Sequence, residues 1–412
     1  MVKFKGYVNE QFLRIIERLE EDDPAFTTLQ YSGSSVGPVE ASALGDALAF
    51  DKRICAVTLW GNNMGDEGAV ALCAGLSTNA AIRTLSLQWQ AIGDVGAAAL
   101  AQLLAKNSTL RTLGLGDNGV GDAGAAALAD ALLCNRTLQS LSLWNNNVGK
   151  AGAAALGVVL RRAQGAEAQG QGFAAAAAGE KLRLGAGAAV LARYRRSERF
   201  YPGAVARDHG DGTFAVLFDD GDRDVNVRAG DVRPPAALAA SLGAAAAGAA
   251  PRNPDNRTLA TLNVHGNRLL GVSGARRLAA ALCSNASITT LELGGSASIG
   301  DRGAAAIADM LATNGTLVTL ELSHADVGDK GAVALADALR ERNRTLKSLN
   351  LQYNAVRAAG VGALAAALSV NLVVLTLFVG GGRAEQELGQ LQRDYRHCRD
   401  LLQYMDHIEK LT

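Results

Sequence analysis

A phrase of 28 or 29 residues recurs along most of this chain and leaves it few possible folds. In the copy from Asn107 to Cys134, the leucine spacing L-x-x-L-x-L predicts a short strand. The second half carries an apolar stripe with a period of about 3.6 residues, which predicts a helix, and Asp122 is placed to cap it. One strand and one helix cannot bury both faces alone, so each copy needs neighbours of the same kind.

The copies keep their register on both sides of a break in the middle of the chain. Each copy begins with an aspartate or an asparagine, and the helical half repeats the motif G-D-x-G-A. The starts are 28 residues apart in the first series and 28 or 29 apart in the second, and they are Asp23, Asp51, Asn79, Asn107 and Asn135, then Asn256, Asn285, Asn314, Asn343 and Asn371.

This period and motif resemble leucine-rich repeats. The repeat length and the G-D-x-G-A helix look like the ribonuclease-inhibitor type, which is shared with the Ran GTPase-activating protein and cytosolic innate immune receptors. The resemblance covers residues 23–163, as repeats one to five, and residues 255–380, as repeats six to nine with a last strand. It implies an α/β fold, a leucine-rich-repeat solenoid in the form of a horseshoe of about nine strand–helix repeats.

Both ends of the repeat array carry predicted helices. Within residues 1–22, an apolar face at Phe12, Ile15, Ile16 and Leu19 predicts a helix over 9–22 that covers the open edge of the first repeat. After the glycines at 380–382, residues 381–412 contain a second amphipathic pattern over 385–411. Its spacing fits either a cap on the last repeat or a coiled-coil seam.

The break between the two series holds a segment of different character. Residues 164–181 are a low-complexity linker, and residues 235–254 are a linker rich in alanine and proline. Between them, residues 182–234 contain four or five short strands with Asp-Gly turns, which predicts a small barrel. The phrase YPGAVARDHGDGTFAVLFDDGD resembles the Tudor and Agenet group of SH3-like barrels. The resemblance implies an inserted, small all-β SH3-like barrel.

Tudor-type readers hold a methylated ammonium or guanidinium between aromatic rings. The resemblance places Tyr194, Tyr201 and Phe218 at positions of that methyl-ligand cage. The following hairpin has a glycine where the family brings a fourth ring, but Asp220 or Asp222 could complement a cation. The alternative is that aromatic residues of these strands, Phe214 among them, fill the core of the small barrel.

Side chains that alternate with the strand leucines are expected on the concave face of the solenoid. Most are Thr, Ser, Gln or Asn, but Trp60 and Trp144 occupy the same position in repeats two and five, roughly 15 Å apart at three strand spacings. Tryptophan is enriched at binding hot spots, so this face is predicted to bind protein. The alternative is that the barrel, a linker or the tail covers both rings. The remaining candidate residues on this face are Gln88, Trp89, His265, Glu292 and Glu321.

Charge and cysteine content limit the classes of partner and compartment. The 40 basic and 40 acidic residues balance, so strong binding of nucleic acid is not expected. The five cysteines form no C-x-x-C pair, which argues against a zinc site or a disulfide framework, and thiols buried in the repeats suit a reducing compartment. The chain starts without a signal-like apolar region and contains no membrane-spanning run. An intracellular location, cytoplasmic or nuclear, is therefore expected.

Several motifs have structural explanations. Gly114, Gly116 and Gly119 spell G-x-G-x-x-G, but the equivalent positions of neighbouring repeats differ, so no nucleotide cofactor is expected. Asparagines such as Asn107 and Asn135 fit N-x-S/T, yet all share one turn, where asparagine tolerates a left-handed backbone and bonds neighbouring amides.

No catalytic or metal-binding pattern is present in the sequence. The sequence therefore predicts a non-enzymatic, intracellular protein–protein interaction scaffold without cofactors, carrying the barrel as a second recognition module. Two alternatives stay open: a reader of methyl-lysine or methyl-arginine peptides, and a regulator of a small GTPase.

Overall fold

The computed structural model describes residues 10–21, 23–33, 36–160, 256–296 and 298–380 of the repeat region. In the inserted segment it describes residues 189–193, 200–209, 211, 213–218, 223–228 and 232–233. The predicted linkers and the predicted helix at 385–411 lie outside the described residues. The chain divides into two compact units, one formed by residues 1–157 with 257–412 and the other by residues 158–256.

Strands and helices alternate through the repeat region. The first half contains α1 (Glu10–Glu20), β1 (Thr28–Ser32), α2 (Pro38–Leu48), β2 (Ala56–Trp60), α3 (Gly65–Leu76), β3 (Thr84–Ser86), α4 (Asp94–Lys106), β4 (Thr112–Gly114), α5 (Asp122–Leu132), β5 (Ser140–Ser142) and α6 (Lys150–Leu160). The inserted segment contains β6 (Ala189–Arg193), β7 (Phe200–Asp208), β8 (Thr213–Phe218), β9 (Arg223–Arg228) and β10 (Val232–Arg233). The second half contains β11 (Thr261–Asn263), α7 (Gly271–Leu282), β12 (Thr290–Glu292), α8 (Gly300–Leu311), β13 (Thr319–Glu321), α9 (Asp329–Glu341), β14 (Ser348–Asn350), α10 (Ala358–Leu368) and β15 (Thr376–Phe378).

The ten repeat strands form one parallel sheet in the order β1-β2-β3-β4-β5-β11-β12-β13-β14-β15. Strand β5 pairs directly with β11, and Leu141 lies opposite Leu262 in that pair. The two strands that flank the inserted segment are therefore neighbours in the same sheet. The predicted α/β repeat solenoid is confirmed.

Each strand buries one face against the helices. The central leucines of short strands such as β3 and β5, Leu85 and Leu141, are fully buried, while the residues on either side of them are half-buried. The helices contribute leucines and many alanines to the same core, because small side chains let neighbouring helices approach closely. The tightest approach is at Gly75, where a Cβ would overlap the backbone of Gly45 in the preceding helix.

Helix α1 contacts the first repeat through one face. Phe12 and Leu19 are buried, and Phe12 packs edge-on against Tyr31 of β1 with ring centroids 6.1 Å apart. Arg53 of the second repeat donates a hydrogen bond of 2.8 Å to the Leu19 carbonyl. These contacts shield the first strand, as a terminal solenoid repeat requires.

In most repeats, the asparagine at the first position joins its repeat to earlier ones. Asn135 Oδ1 accepts the N–H groups of Thr137 and Leu138 at 3.0 and 2.8 Å, and its Nδ2 donates to the carbonyls of Leu104 and Asn107 at 2.8 and 3.0 Å. The same pattern recurs at Asn79, Asn314, Asn343 and Asn371.

The predicted left-handed backbone at these asparagines is wrong, whereas the predicted bonding of neighbouring amides is confirmed. Asn107 has φ −77°, and none of the repeat-opening asparagines is among the residues with positive φ. Asparagine is used here for its two-sided amide, which satisfies backbone groups both ahead of it and in the previous repeat.

An aspartate also acts across the repeat boundary. Asp94 Oδ1 accepts the N–H groups of Gly121 and Gly124 at 2.7 and 2.8 Å, which are the first amides of the next helix, α5. The prediction that Asp122 caps its own helix is therefore wrong. The N-cap of α5 is Gly121 without a side-chain cap, and Asp122 serves α6 instead. The further members of this series are Asp66, Asp301 and Asp329.

The second glycine of G-D-x-G-A makes room for that carboxylate. A Cβ placed on Gly124 would lie 2.7 Å from Asp94 Oδ1 and 2.9 Å from the Cβ of Ala97. Each copy of the motif therefore takes part in two contacts between repeats, one with the following repeat and one with the preceding repeat. Its aspartate caps the following helix, and its glycine accepts the aspartate of the preceding repeat.

Three helices that receive no aspartate from the preceding repeat begin differently. The preceding repeats of α3, α7 and α8 have Pro38, Lys150 and Val272 at the aspartate position. These three helices start with a glycine of positive φ, at Gly65, Gly271 and Gly300, after a helical N-cap residue. By contrast, Gly93, Gly121 and Gly328, which precede capped helices, are extended. The joint beside the inserted segment is therefore one of those without the aspartate cap.

The inserted strands form a separate antiparallel sheet in the order β10-β6-β7-β8-β9. Ala192, Phe214, Val216, Val227 and Val232 are buried in it. Phe214 thus fills the core of this unit, in line with the packing alternative for this aromatic residue. Closure into an SH3-like barrel and the Tudor identity stay predictions.

We expect Asp94→Ala to lower the free energy of unfolding by about 1–2 kcal/mol, because two amides at the start of α5 lose their acceptor. Asp130→Ala is the matched control, since Asp130 is exposed on α5. Urea denaturation of both variants measures the difference. Equal losses would contradict the role assigned to Asp94.

Candidate protein-binding surface

The strand face is the set of side chains that alternate with the buried leucines. Its last position, two residues beyond the paired strand cores, is held by Trp60, Gln88, Gly116, Trp144 and His265 in successive strands. The structure therefore places Trp60 and Trp144 at equivalent positions of one sheet. The repeat register of the sequence alone had predicted this equivalence.

Two tryptophans form an exposed pair. Trp60 is 50% exposed and Trp89 is 51% exposed. Their ring centroids are 6.2 Å apart and the rings are inclined by 61°, an edge-to-face arrangement. Two large apolar rings thus stand together in solvent at one end of β2 and β3.

Trp144 is half-buried because it lies across a glycine. A Cβ on Gly116 would overlap the indole nitrogen of Trp144, and a Cβ on Gly114 would lie 2.9 Å from Nε2 of Gln88. Gln88 also accepts a hydrogen bond from the Ser86 hydroxyl. The two glycines of the misleading G-x-G motif thus provide the space in which Gln88 and Trp144 lie.

The residue that follows the last strand-face position has a left-handed backbone in nine successive repeats. We name these nine residues the turn row. Each donates its N–H to a carbonyl in the next repeat, except that the last donates to Gly380. Their φ values lie between 50° and 81°, and they are Gly33, Gly61, Trp89, Asp117, Asn145, Gly266, Gly295, His324 and Tyr353.

Three aromatic residues of the turn row sit in a conformation that suits glycine. A bulky residue with φ near 55° is an outlier that costs of the order of 1–3 kcal/mol. Trp89, His324 and Tyr353 have φ values of 57°, 51° and 56°, where sister repeats have glycine. Their rings are exposed, so the cost is not offset by burial in the core. Strain of this kind accumulates at functional sites.

His324 and Tyr353 form a second aromatic cluster that sequence reasoning missed. Their rings are stacked with centroids 4.3 Å apart and an interplanar angle of 12°. Tyr353 is 53% exposed. Comparison of the turn position between repeats could have identified both residues, because four of its nine members are glycine.

The strand face of the second half is acidic. Burial and then the charge of Glu321 raise the pKa of Glu292, whose carboxylate accepts a hydrogen bond from the Asn263 amide. Burial lowers the pKa of His265, Glu321 opposes this shift and His324 adds to it. His265 packs over Gly294 and Gly295, where added Cβ atoms would lie 2.9 and 2.8 Å from its ring nitrogens. The structure thus brings His265, Glu292 and Glu321 together.

The cysteine prediction is only partly right. Of the four cysteines in the described segments, all are free, but only Cys73 is buried, and burial raises its pKa to about 12. Cys134 and Cys283 are exposed, since they lie just past the last turn of their helices. Across the same segments, no cluster of three His, Cys, Asp or Glu side chains could hold a metal ion.

The predicted cage positions are only partly within the described residues. The backbone register places Phe218 opposite Gly203, two residues along β7 from Tyr201, which itself pairs with Ala192. Tyr194, Asp220 and Asp222 lie outside the described residues.

The longest helices in the described part of the chain, α4 and α9, have 13 residues. A helix that spans a bilayer needs about 20. None of the described helices is therefore a candidate membrane span.

Comparison with known proteins supports the repeat assignment. Segments of the chain match the family model described as Leucine Rich repeat, at residues 59–73, 106–129, 134–157, 284–308, 313–336 and 342–365. No curated protein shows a significant match to the chain.

Solved structures include two distant neighbours. The structure of the leiomodin-1 actin-binding site 2 aligns with 36% of this chain and 87% of its own, at 22% identity and a TM-score of 0.27. The crystal structure of the Rad7 and Elc1 complex in yeast aligns with 91% of this chain and 67% of its own, at 12% identity and a TM-score of 0.46. Both TM-scores are low, so neither alignment informs what this chain binds. The ten-stranded parallel sheet and the matched segments show that the solenoid of this chain is built from leucine-rich repeats.

Proposed function

We propose that the solenoid is a non-enzymatic protein-interaction scaffold whose binding surface is centred on Trp60, Trp89 and Trp144. The observation that carries this proposal is the backbone of Trp89. A tryptophan held at φ 57° and half-exposed weakens the fold and adds nothing to its core. Such a residue is explained when a partner covers it, because tryptophan is among the residues most enriched at binding hot spots.

The neighbourhood of the rings suits a protein interface. Gln88 and Ser86 supply polar groups beside the aromatic centre, as the rim of an interface requires. The rings stand on strands whose leucines are fully buried, so the surface is preorganised. A rigid surface loses little conformational entropy on binding.

The second half of the strand face extends the same surface with different chemistry. His324 and Tyr353 provide a stacked aromatic pair, and Glu292 and Glu321 provide negative charge. We infer that a partner long enough to reach this half places basic side chains there.

Trp89→Gly separates binding from folding. The variant removes the ring and also relieves the left-handed strain, so we expect the free energy of unfolding to rise by about 1 kcal/mol. We expect the affinity for partner proteins, measured by their recovery with the tagged full chain, to fall about thirtyfold, which corresponds to the loss of about 2 kcal/mol that defines a hot spot. Quantitative affinity purification and urea denaturation measure the two effects.

The matched control is Val95→Ala, because Val95 is an apolar residue of α4 that is 63% exposed. It should keep both stability and partner recovery. Equal recovery with Trp89→Gly and Val95→Ala would place the binding surface elsewhere.

The sheet register supports a second candidate function, reading of methylated lysine or arginine by the inserted unit. It sets Phe218 and Tyr201 on adjacent strands two residues apart, as the resemblance to Tudor-type readers requires. No observation on the described residues favours regulation of a small GTPase, and that alternative is not proposed.

We expect the full chain to bind methylated peptides and to lose that binding with Tyr201→Ala. Calorimetric titration with methylated and unmethylated lysine and arginine peptides makes the measurement. Arg228→Ala is the control, since Arg228 is exposed on β9. Equal affinity for both kinds of peptide would leave the unit as a docking or spacer element.

A further inference from the structure

A groove runs along the side of the sheet that is formed by the N-terminal ends of the strands. This side is called an edge of the sheet below. It has a volume of about 1350 Å³ and is lined by the segments between helix and strand in five successive repeats. Because all strands are parallel, this edge is opposite the turn row, which follows the ends of the strands. Its basic residues are Lys52, Arg53, Arg83, Arg111, Arg136 and Arg257.

The positive charge of this groove is local. The chain as a whole carries 40 basic and 40 acidic residues, yet the lining holds the six cations and a single acid, Asp51. Asp51 is already paired with Arg53 at 2.7 Å. Its carboxylate therefore does not neutralise the rest of the groove.

At one position of this edge, arginine is confined to two successive repeats, at Arg83 and Arg111. A ladder of backbone hydrogen bonds along this edge identifies equivalent residues, since Arg111 donates to the Arg83 carbonyl and Gln139 to that of Arg111. The ladder continues through Ala260, Thr289 and Val318 before it reaches Lys347. The repeat fold itself thus has no need for arginine at this position.

The side chains of two of the arginines differ from that of Arg53 in their contacts with the described part of the chain. Arg53 holds the N-terminal helix through the carbonyls of Leu19 and Asp23, so its charge is committed to the fold. Arg83 and Arg111 are exposed and make no ion pair with a described carboxylate. They project from adjacent strands about 4.8 Å apart. Two guanidinium groups at this spacing can engage carboxylates with paired hydrogen bonds.

We propose that this groove binds an acidic peptide segment of a partner protein. Threonine and serine hydroxyls between the cations, such as Ser108 and Thr137, suit a peptide backbone. Nucleic acid fits less well, because the lining has one aromatic residue, Phe50, where single strands require several stacking rings.

The groove is independent of the tryptophan surface, and its test uses a defined probe. A fluorescein-labelled peptide of four Asp-Glu repeats is titrated with the full chain, and the matched neutral peptide has four Asn-Gln repeats. We expect only the acidic peptide to bind, and we expect Arg83→Gln with Arg111→Gln to weaken its affinity at least tenfold.

The control pair is Arg302→Gln with Lys330→Gln, which removes two exposed cations from the helices α8 and α9. It changes the net charge equally and should leave the affinity unchanged, while thermal melting verifies that all variants fold. Equal weakening in both pairs, or equal binding of the neutral peptide, overturns the proposal. Tighter arginine-dependent binding of an oligouridylate of eight nucleotides also overturns it, since the groove would then be a nucleic-acid site.

Discussion

The last carbonyls of a helix need hydrogen-bond donors, and at α2, α4, α7, α8 and α9 an asparagine that opens a later repeat supplies one. Asn135 donates to Leu104 and Asn107 of earlier repeats, while its other amide atom holds its own turn. A buried carbonyl without a donor costs about 1–3 kcal/mol, so no repeat is complete alone. At the first joint, Asp51 takes the asparagine position. Burial would raise its pKa, but the amides of Ile54 and Arg53 and the Arg53 side chain together hold that pKa below its usual value.

The contacts between repeats do not use the side chains at two edges of the sheet, the turn row and the groove. Buried leucines, asparagines and aspartates stabilise the fold. The side chains at the turn row and at the groove therefore do not have to fill the core or join the repeats. The turn row uses that freedom for Trp89, His324 and Tyr353 at positions where glycine would be more stable. The groove uses it for Arg83 and Arg111. If the two proposed surfaces bind partners, stability and recognition depend on different positions of the same repeat.

Periodicity within one repeat predicted the strands, the helices and the buried leucines, because each of these depends on neighbours within a few residues. The cross-repeat contacts were not predictable in this way. Asp122 was expected to cap its own helix, but the amides that it binds are 27 and 30 residues further on. The left-handed turn was placed at the asparagines instead of at Trp89 and its equivalents, since both positions tolerate polar residues. The basic groove could not be predicted from the net charge of the chain, because the arginines that cluster on one edge are balanced by acidic residues elsewhere.

Continuity of the solenoid across the inserted segment is the central claim, and cooperative unfolding tests it most directly. Asn267 joins the two halves through Leu143 and Val148, each at 2.8 Å, beside the paired strands β5 and β11. The measurement is urea unfolding of a chain in which residues 164–254 are replaced by a short turn. All three tryptophans lie in the first half, so their fluorescence reports that half, while amide hydrogen exchange reports both. We expect one transition with the same midpoint for both probes. Two independent transitions would show that the halves are separate solenoids.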